Sequence, residues 1–191
     1  PMESAWRDAR IARIYEGTNE INKLVIIGMI IKKALKGHLN LIEKTEEVAN
    51  ELTEIPSFEI PEFDELFAEE KYVIKNLKKV FLMLAGAGMK KFGMDLEKEQ
   101  EVLLRISEII IEIYMSESAI LRTEKNSKRF GSEKYLSQIA MSKLYLYESC
   151  ELTIKKAKEL IVSLSEGSEQ KFLLSGLKRF TKYFNYPNTI E

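Results

Sequence analysis

The sequence predicts an all-α protein, an antiparallel helical bundle of four or five main helices. Apolar residues recur every three or four positions through most of the 191 residues, and no segment shows the alternation of a half-buried strand. Four prolines and nine glycines are too few for a largely disordered chain, and they fall mostly where one pattern gives way to the next.

From Arg7 to Gly17 the chain reads as an irregular approach that exposes Tyr15 and Glu16. Gly17 permits a backbone conformation or a close approach that a side chain would block. Thr18 is placed to cap a helix that starts near Asn19, with Glu20 in its positive first turn. On these grounds alone, an acid in front of a helix is a solvated capping residue. That helix runs to about Leu35, and its apolar residues, from Ile21 through Ile31 to Leu35, spread over more than one face. Such a helix needs partners on several sides. Pairing with a second copy through Asn19 to Leu35 is therefore expected, or else repacking.

Gly37 interrupts, and a shorter pattern carries Leu39, Leu41, Ile42, Val48, Ala49 and Leu52. Thr53 to Glu65 contains Pro56 and Pro61 and is the clearest linker, because proline lacks an amide donor and biases its predecessor away from helix. Phe58, Ile60 and Phe63 suit a strap over the bundle better than a membrane contact, since the acids beside them oppose an anionic surface.

Three long amphipathic segments follow. The first, from about Phe63 to Phe92, carries Leu66, Val73, Leu77, Phe81 and Leu84 and stops at Gly93; Gly86 and Gly88 within it suggest a close helix crossing. From about Glu97 to Lys125 the stripe is Val102, Ile106, Ile109, Ile113 and Ile120, widened by Leu103, Ile110 and Leu121. From about Ser132 to Leu164 it is Leu136, Ala140, Tyr147, Cys150, Ile154, Ala157, Ile161 and Leu164, broken only by Lys143. A helix of that length would measure about 50 Å. After Gly167 a closing helix, Glu169 to about Phe184, turns Phe172, Leu173, Leu177, Phe180 and Phe184 inward. The remaining NYPNTIE is expected to be extended.

Composition excludes several functions. A net charge of -1 does not suit nucleic acid, which demands concentrated positive charge. Cys150 is the only cysteine, so no intrachain disulfide forms and a reducing compartment, the cytoplasm, is favoured. It lies on an apolar stripe and reads as a core residue. His38 is the only histidine and has no assignable co-ligand, so no metal site is expected. Leu24 to Ile31, the longest apolar run, is too short to span a bilayer. The abrupt ends at Pro1 and Glu191 suggest a piece of a longer protein.

The run RDARIARIYEGTNEINKLVI, from Arg7 to Ile26, resembles the end of the catalytic core of the acyl-CoA dehydrogenases, FAD enzymes that desaturate acyl-CoA thioesters. The match runs through Arg7, Asp8, Tyr15, Gly17, Thr18 and the helix that follows. The resemblance implies that Glu16 is the catalytic base and that Gly17 lets the thioester approach. It also implies that Thr18, Asn19 and Glu20 contact FAD. Lys90 to Lys125 and Ser175 to Tyr183 resemble the C-terminal extension of the very-long-chain branch, a second helical bundle associated with a dimeric enzyme. The implied organisation is residues 1–36 as the end of the catalytic core and 37–191 as the extension, with the linker at 53–65.

By this resemblance the parent enzyme would act in fatty acid β-oxidation, with acyl-CoA and an electron-transfer acceptor as partners and a homodimer as its assembly. The chain alone would be inactive. The competing reading is a noncatalytic helical module for interaction or dimerisation that retains a piece of dehydrogenase sequence; the bundle's composition fits it equally well.

Overall fold

The computed structural model describes residues 2–55 and 61–187, and within them the chain is helical with no strand. Seven α-helices follow one another: α1 (Met2–Ile11), α2 (Asn19–Leu35), α3 (Leu41–Thr53), α4 (Ala68–Phe92), α5 (Gln100–Phe130), α6 (Leu136–Leu164) and α7 (Gly167–Phe180). Short 3-10 turns, Gly93–Lys98 and Ser132–Tyr135, lead into α5 and α6. The second of these takes the place of the first turn expected for α6, which at 29 residues is about 44 Å long.

Helices α4 to α7 make the bundle, with α3 laid on α4 and α2 on α5. Side-chain pairs fix the directions. Lys71 and Lys78 of α4 meet Glu124 and Glu117 of α5, so early residues of one helix face late residues of the other. Thr123 of α5 bonds Ser142 of α6 at 2.8 Å, and the Ser149 hydroxyl donates to Glu112 at 2.8 Å, so this pair is antiparallel too.

The core is the expected α5 stripe with its neighbours: Val102, Ile106, Ile109, Ile113 and Ile120 are all buried, against Leu77, Leu84, Leu146 and Ile161. Burying each such side chain contributes about 1.5–3 kcal/mol before chain entropy is set against it. On α6 the expected stripe holds only from Tyr147 onward. Leu136 and Ala140 are exposed, and the buried line is Ser142, Leu146, Ser149, Cys150, Thr153 and Ala157. Small polar side chains, some bonded across the interface, let the two longest helices lie close. Phe172 also turns outward from α7, whereas Leu173, Leu177 and Phe180 are buried.

The start of α4 falls later than Phe63 because Phe67, buried and left-handed at φ 64°, cannot continue a helix upstream. Phe63 instead packs with Tyr72 and Phe184 at ring separations of 5.9 and 5.7 Å, so the described end of the linker lies on the bundle as a strap. Pro56, Phe58 and Ile60 lie outside the described residues. The chain after α7 folds back on α4. The buried Glu69 carboxylate accepts from the Phe184 amide (2.7 Å), the Asn185 amide (2.8 Å) and the Asn185 side chain (2.6 Å). Lys143, the break in the α6 pattern, reaches Glu70 at 3.0 Å and lies 5.9 Å from the centre of the Phe67 ring.

Gly86 accounts for the crossing of α3 over α4: a Cβ there would lie 2.5 Å from the Thr45 Cγ2. The two helices that open the chain are different. Helix α1 buries no residue, and α2 buries only Ile27 and Ala34. Ile21, Val25, Met29 and Leu35 of α2 remain exposed.

Candidate functional site

The irregular approach is shorter than the sequence suggests, because Arg7 to Ile11 belong to α1. Arg7 pairs with Glu3 one turn earlier at 2.6 Å, and Arg10 lies 5.2 Å from the centre of the Trp6 ring. Such i,i+4 pairs support an exposed helix that has little to pack against. After Ile11 the chain turns: the amides of Ile14 and Tyr15 donate back to the Ile11 carbonyl, and the Asn19 amide donates to the Arg13 carbonyl at 3.2 Å. The loop from Arg13 to Asn19 is thereby closed, with Glu16 at its tip.

Glu16 is exposed and left-handed, with φ at 56°, a conformation that a residue bearing a Cβ adopts at a cost of about 1–2 kcal/mol. Gly17 follows at φ 97°. The conformation itself calls for glycine, and a Cβ there would also come within 2.9 Å of the Asn22 Oδ1, which would have to shift. The Asn22 side chain donates through Nδ2 to the Gly17 carbonyl at 2.9 Å. Thr18 caps α2, its hydroxyl accepting from the Ile21 amide at 3.4 Å. Its second hydroxyl role concerns Glu20. That carboxyl is held below the usual carboxylate range by its own backbone amide and then by the Thr18 side chain. The positive end of α2 is therefore covered in part by an acid of the same chain. Asn19 and Glu20 are exposed beside it.

The five predicted site residues, Glu16, Gly17, Thr18, Asn19 and Glu20, thus form one solvent-facing loop and helix start. Asn22 was not among them. Its signal in the sequence is its type: asparagine is a poor interior helix residue, and here it falls four positions after the cap. Lys23, next along, ties this helix to the bundle. Its ammonium donates to Glu108 of α5 at 2.7 Å, and the other Glu108 oxygen receives Lys156 of α6 and Arg105, the latter at 3.1 Å. Burial alone would raise the Glu108 pKa, but the lysine hydrogen bonds outweigh it and bring the carboxyl down to about 2.

The bundle itself offers little chemistry. Among the described residues no three histidine, cysteine or acidic side chains gather as a metal site. Cys150 is buried, and burial pushes its thiol up to about 12, which suits a core residue and not a nucleophile. An apolar groove of about 330 Å³ runs among Ile31, Leu35, Ile42, Phe81 and Met89, at the end of α2 opposite to Glu16. No helix among the described residues is long and apolar enough to cross a membrane.

Residues 76–179, which span α4 to α7, match the family described as acyl-CoA dehydrogenase, C-terminal domain. A Bacillus subtilis (strain 168) protein named probable acyl-CoA dehydrogenase is 37% identical over 183 residues, 95% of this chain and 30% of that protein. The chain belongs to the acyl-CoA dehydrogenase family. Its fold agrees with a crystal structure of an acyl-CoA dehydrogenase complexed with FAD from Bacillus anthracis. The TM-score is 0.86 at 37% identity, over 98% of this chain and 31% of that one. A short stretch of 32 residues is 59% identical to the Sus scrofa mitochondrial short-chain specific acyl-CoA dehydrogenase, 17% of this chain and 8% of that protein. The chain therefore spans under a third of the length of these acyl-CoA dehydrogenases.

The loop at the head of α2 carries groups of the kind a nucleotide cofactor requires. The exposed Asn19 side chain and the positive helix end are donors, the Thr18 hydroxyl becomes one if it leaves Glu20, and the Glu20 carboxylate is an acceptor suited to sugar hydroxyls. Because Glu20 already occupies part of that helix end, direct contact with a diphosphate would require its carboxylate to turn aside.

Proposed function

We propose that this chain is the C-terminal part of an FAD-dependent acyl-CoA dehydrogenase that introduces a double bond between the α and β carbons of acyl-CoA thioesters in β-oxidation. Glu16 is its base. The carrying observation is the geometry of the YEGT turn: a left-handed Glu16 followed by an obligatory glycine, at the tip of a closed loop against a capped helix start.

The Glu16 carboxylate takes the α proton of the thioester. An α C–H is a weak acid, so this carboxylate needs a raised pKa, and burial against the acyl chain would provide it. Glu16 is exposed in the chain, so that burial comes from substrate and from the parts of the enzyme outside it. Negative charge that grows on the thioester oxygen is met by donors, the Glu16 amide among them. Gly17 leaves room for the thioester at that amide, and Thr18, Asn19 and Glu20 hold FAD. When bound, FAD supplies the acceptor for the β hydrogen as hydride.

Residues 1–36 complete the catalytic core, and 37–191 form the extension, for which the resemblance to the very-long-chain branch is the support. The parent is a cytoplasmic homodimer that passes electrons to a separate acceptor. The 191-residue chain alone is inactive, since it spans only 30% of the Bacillus subtilis relative. In the full-length protein, Glu16→Gln should abolish turnover while flavin absorbance is retained; near-normal turnover would remove Glu16 from the mechanism. A noncatalytic module would instead lack flavin and show no reduction by acyl-CoA.

A further inference from the structure

We infer that Asn22 is a positioning residue for Glu16, acting on the loop through the Gly17 carbonyl. The inference rests on the reading of Glu16 as the base. A non-glycine residue held at φ 56° persists only where its surroundings over-determine the backbone. Two bonds close this loop. The Asn19 amide to the Arg13 carbonyl fixes its ends, and the Asn22 Nδ2 to the Gly17 carbonyl fixes the Gly17–Thr18 peptide, one residue beyond Glu16.

The same Asn22 amide group also lies against Gly17 itself, where a Cβ would come within 2.9 Å of Oδ1. Asn22 therefore acts twice: it holds the carbonyl and fills the space that the glycine leaves. The helix itself gains nothing from this side chain. Thr18 already caps it, and asparagine is a poorer helix former than alanine or leucine. Without the bond, the Gly17 peptide is free to rotate, because glycine alone does not restrict it. The Glu16 carboxylate and amide would then lose the fixed direction that proton abstraction and thioester binding require together.

The test uses the full-length enzyme, assayed with butanoyl-, octanoyl- and hexadecanoyl-CoA and a ferrocenium acceptor. Asn22→Leu removes the donor at similar size; Asn22→Gln keeps an amide on a longer stem. Asn22→Leu should lower kcat by roughly ten- to a hundredfold while KM moves less than about threefold and flavin per subunit is unchanged. Asn22→Gln should recover most of that loss. A kcat for Asn22→Leu within about twofold of the parent overturns the inference, as does equal impairment of the two variants or loss of flavin from Asn22→Leu. Glu16→Gln, measured alongside, separates the two proposals. If it is inactive while Asn22→Leu is normal, only the positioning role fails; if it is active, the assignment of the base fails and the positioning role with it.

Discussion

Glu108 is the junction of three helices, and acid should release it. Its carboxylate lies on α5 and receives Lys23 from α2 and Lys156 from α6, with Arg105 at the rim. Its side chain is only 16% exposed, as is that of Lys156. A folded pKa of about 2 against an ordinary 4.5 is a depression, so the linked stability is fully present above the ordinary value. It is lost as pH falls from about 4.5 through about 2. That depression alone corresponds to about 3 kcal/mol, and screening at the solvent-facing rim reduces it to about 1–2 kcal/mol. Glu108→Gln should therefore lower the stability of the chain by about 1–2 kcal/mol at pH 7, leaving two lysines facing an amide. Urea unfolding of the two proteins at a series of pH values between 7 and 2 measures the difference directly. Other carboxylates titrate in both proteins and cancel to first order, so the gap should shrink towards zero near the acid end. A gap that stays constant with pH, or one absent at pH 7, would refute the account.

Two glycines of α4, two residues apart, should respond in opposite directions. Gly86→Ala drives a Cβ to 2.5 Å from Thr45, whose hydroxyl is bonded to the Leu41 carbonyl, and should cost about 1–3 kcal/mol in thermal or urea unfolding. Gly88→Ala meets its nearest neighbour, Leu96, at an ordinary 3.4 Å and should stabilise by up to about 1 kcal/mol through helix propensity. The Tyr183 hydroxyl is buried without a hydrogen-bond partner, and burial pushes its phenol up. Tyr183→Phe should therefore raise the melting temperature, equivalent to about 1 kcal/mol.

The bundle was legible in the sequence where apolar periodicity and burial coincide, as on α5, whose central line from Val102 to Ile120 is buried, while Leu121 at its edge is exposed. It was illegible where close packing selected small residues. The inward line of α6 begins with Ser142, Leu146 and Ser149, so an apolar stripe leads instead to Leu136 and Ala140 on the surface. Polarity misdirects there because the Thr123 to Ser142 and Ser149 to Glu112 hydrogen bonds satisfy the Ser142 and Ser149 hydroxyls, although Thr153 further along the line has no partner among the described residues. The late start of α4 escaped for another reason. Phenylalanine has no turn signature, yet Phe67 adopts a left-handed conformation so that its ring can be buried. At the candidate site, the residue types at Glu16 to Glu20 were visible as a motif, whereas the Asn22 contact depends on a loop closure that spacing alone does not specify.

The mismatch between pattern and burial on α1 and α2 carries its own argument. On α4 to α7 much of the apolar pattern finds partners inside the chain, and the family match lies within these helices. On the opening segment it does not: Trp6 is 62% exposed, Ile14 67%, and Ile21 and Val25 more than half. An apolar set held in regular register but left in water is surface shaped for something else. Glu16 and Tyr15 lie within that set and are exposed with it. The face that would bury the carboxylate proposed as the base is thus one that none of the described residues covers. The fold itself does not depend on that face, because α2 is anchored from its other side through Ile27 and the Lys23 to Glu108 pair. A stable bundle can in this way hold the proposed site in fixed orientation, and Glu108→Gln probes that orientation apart from the chemistry proposed for Glu16.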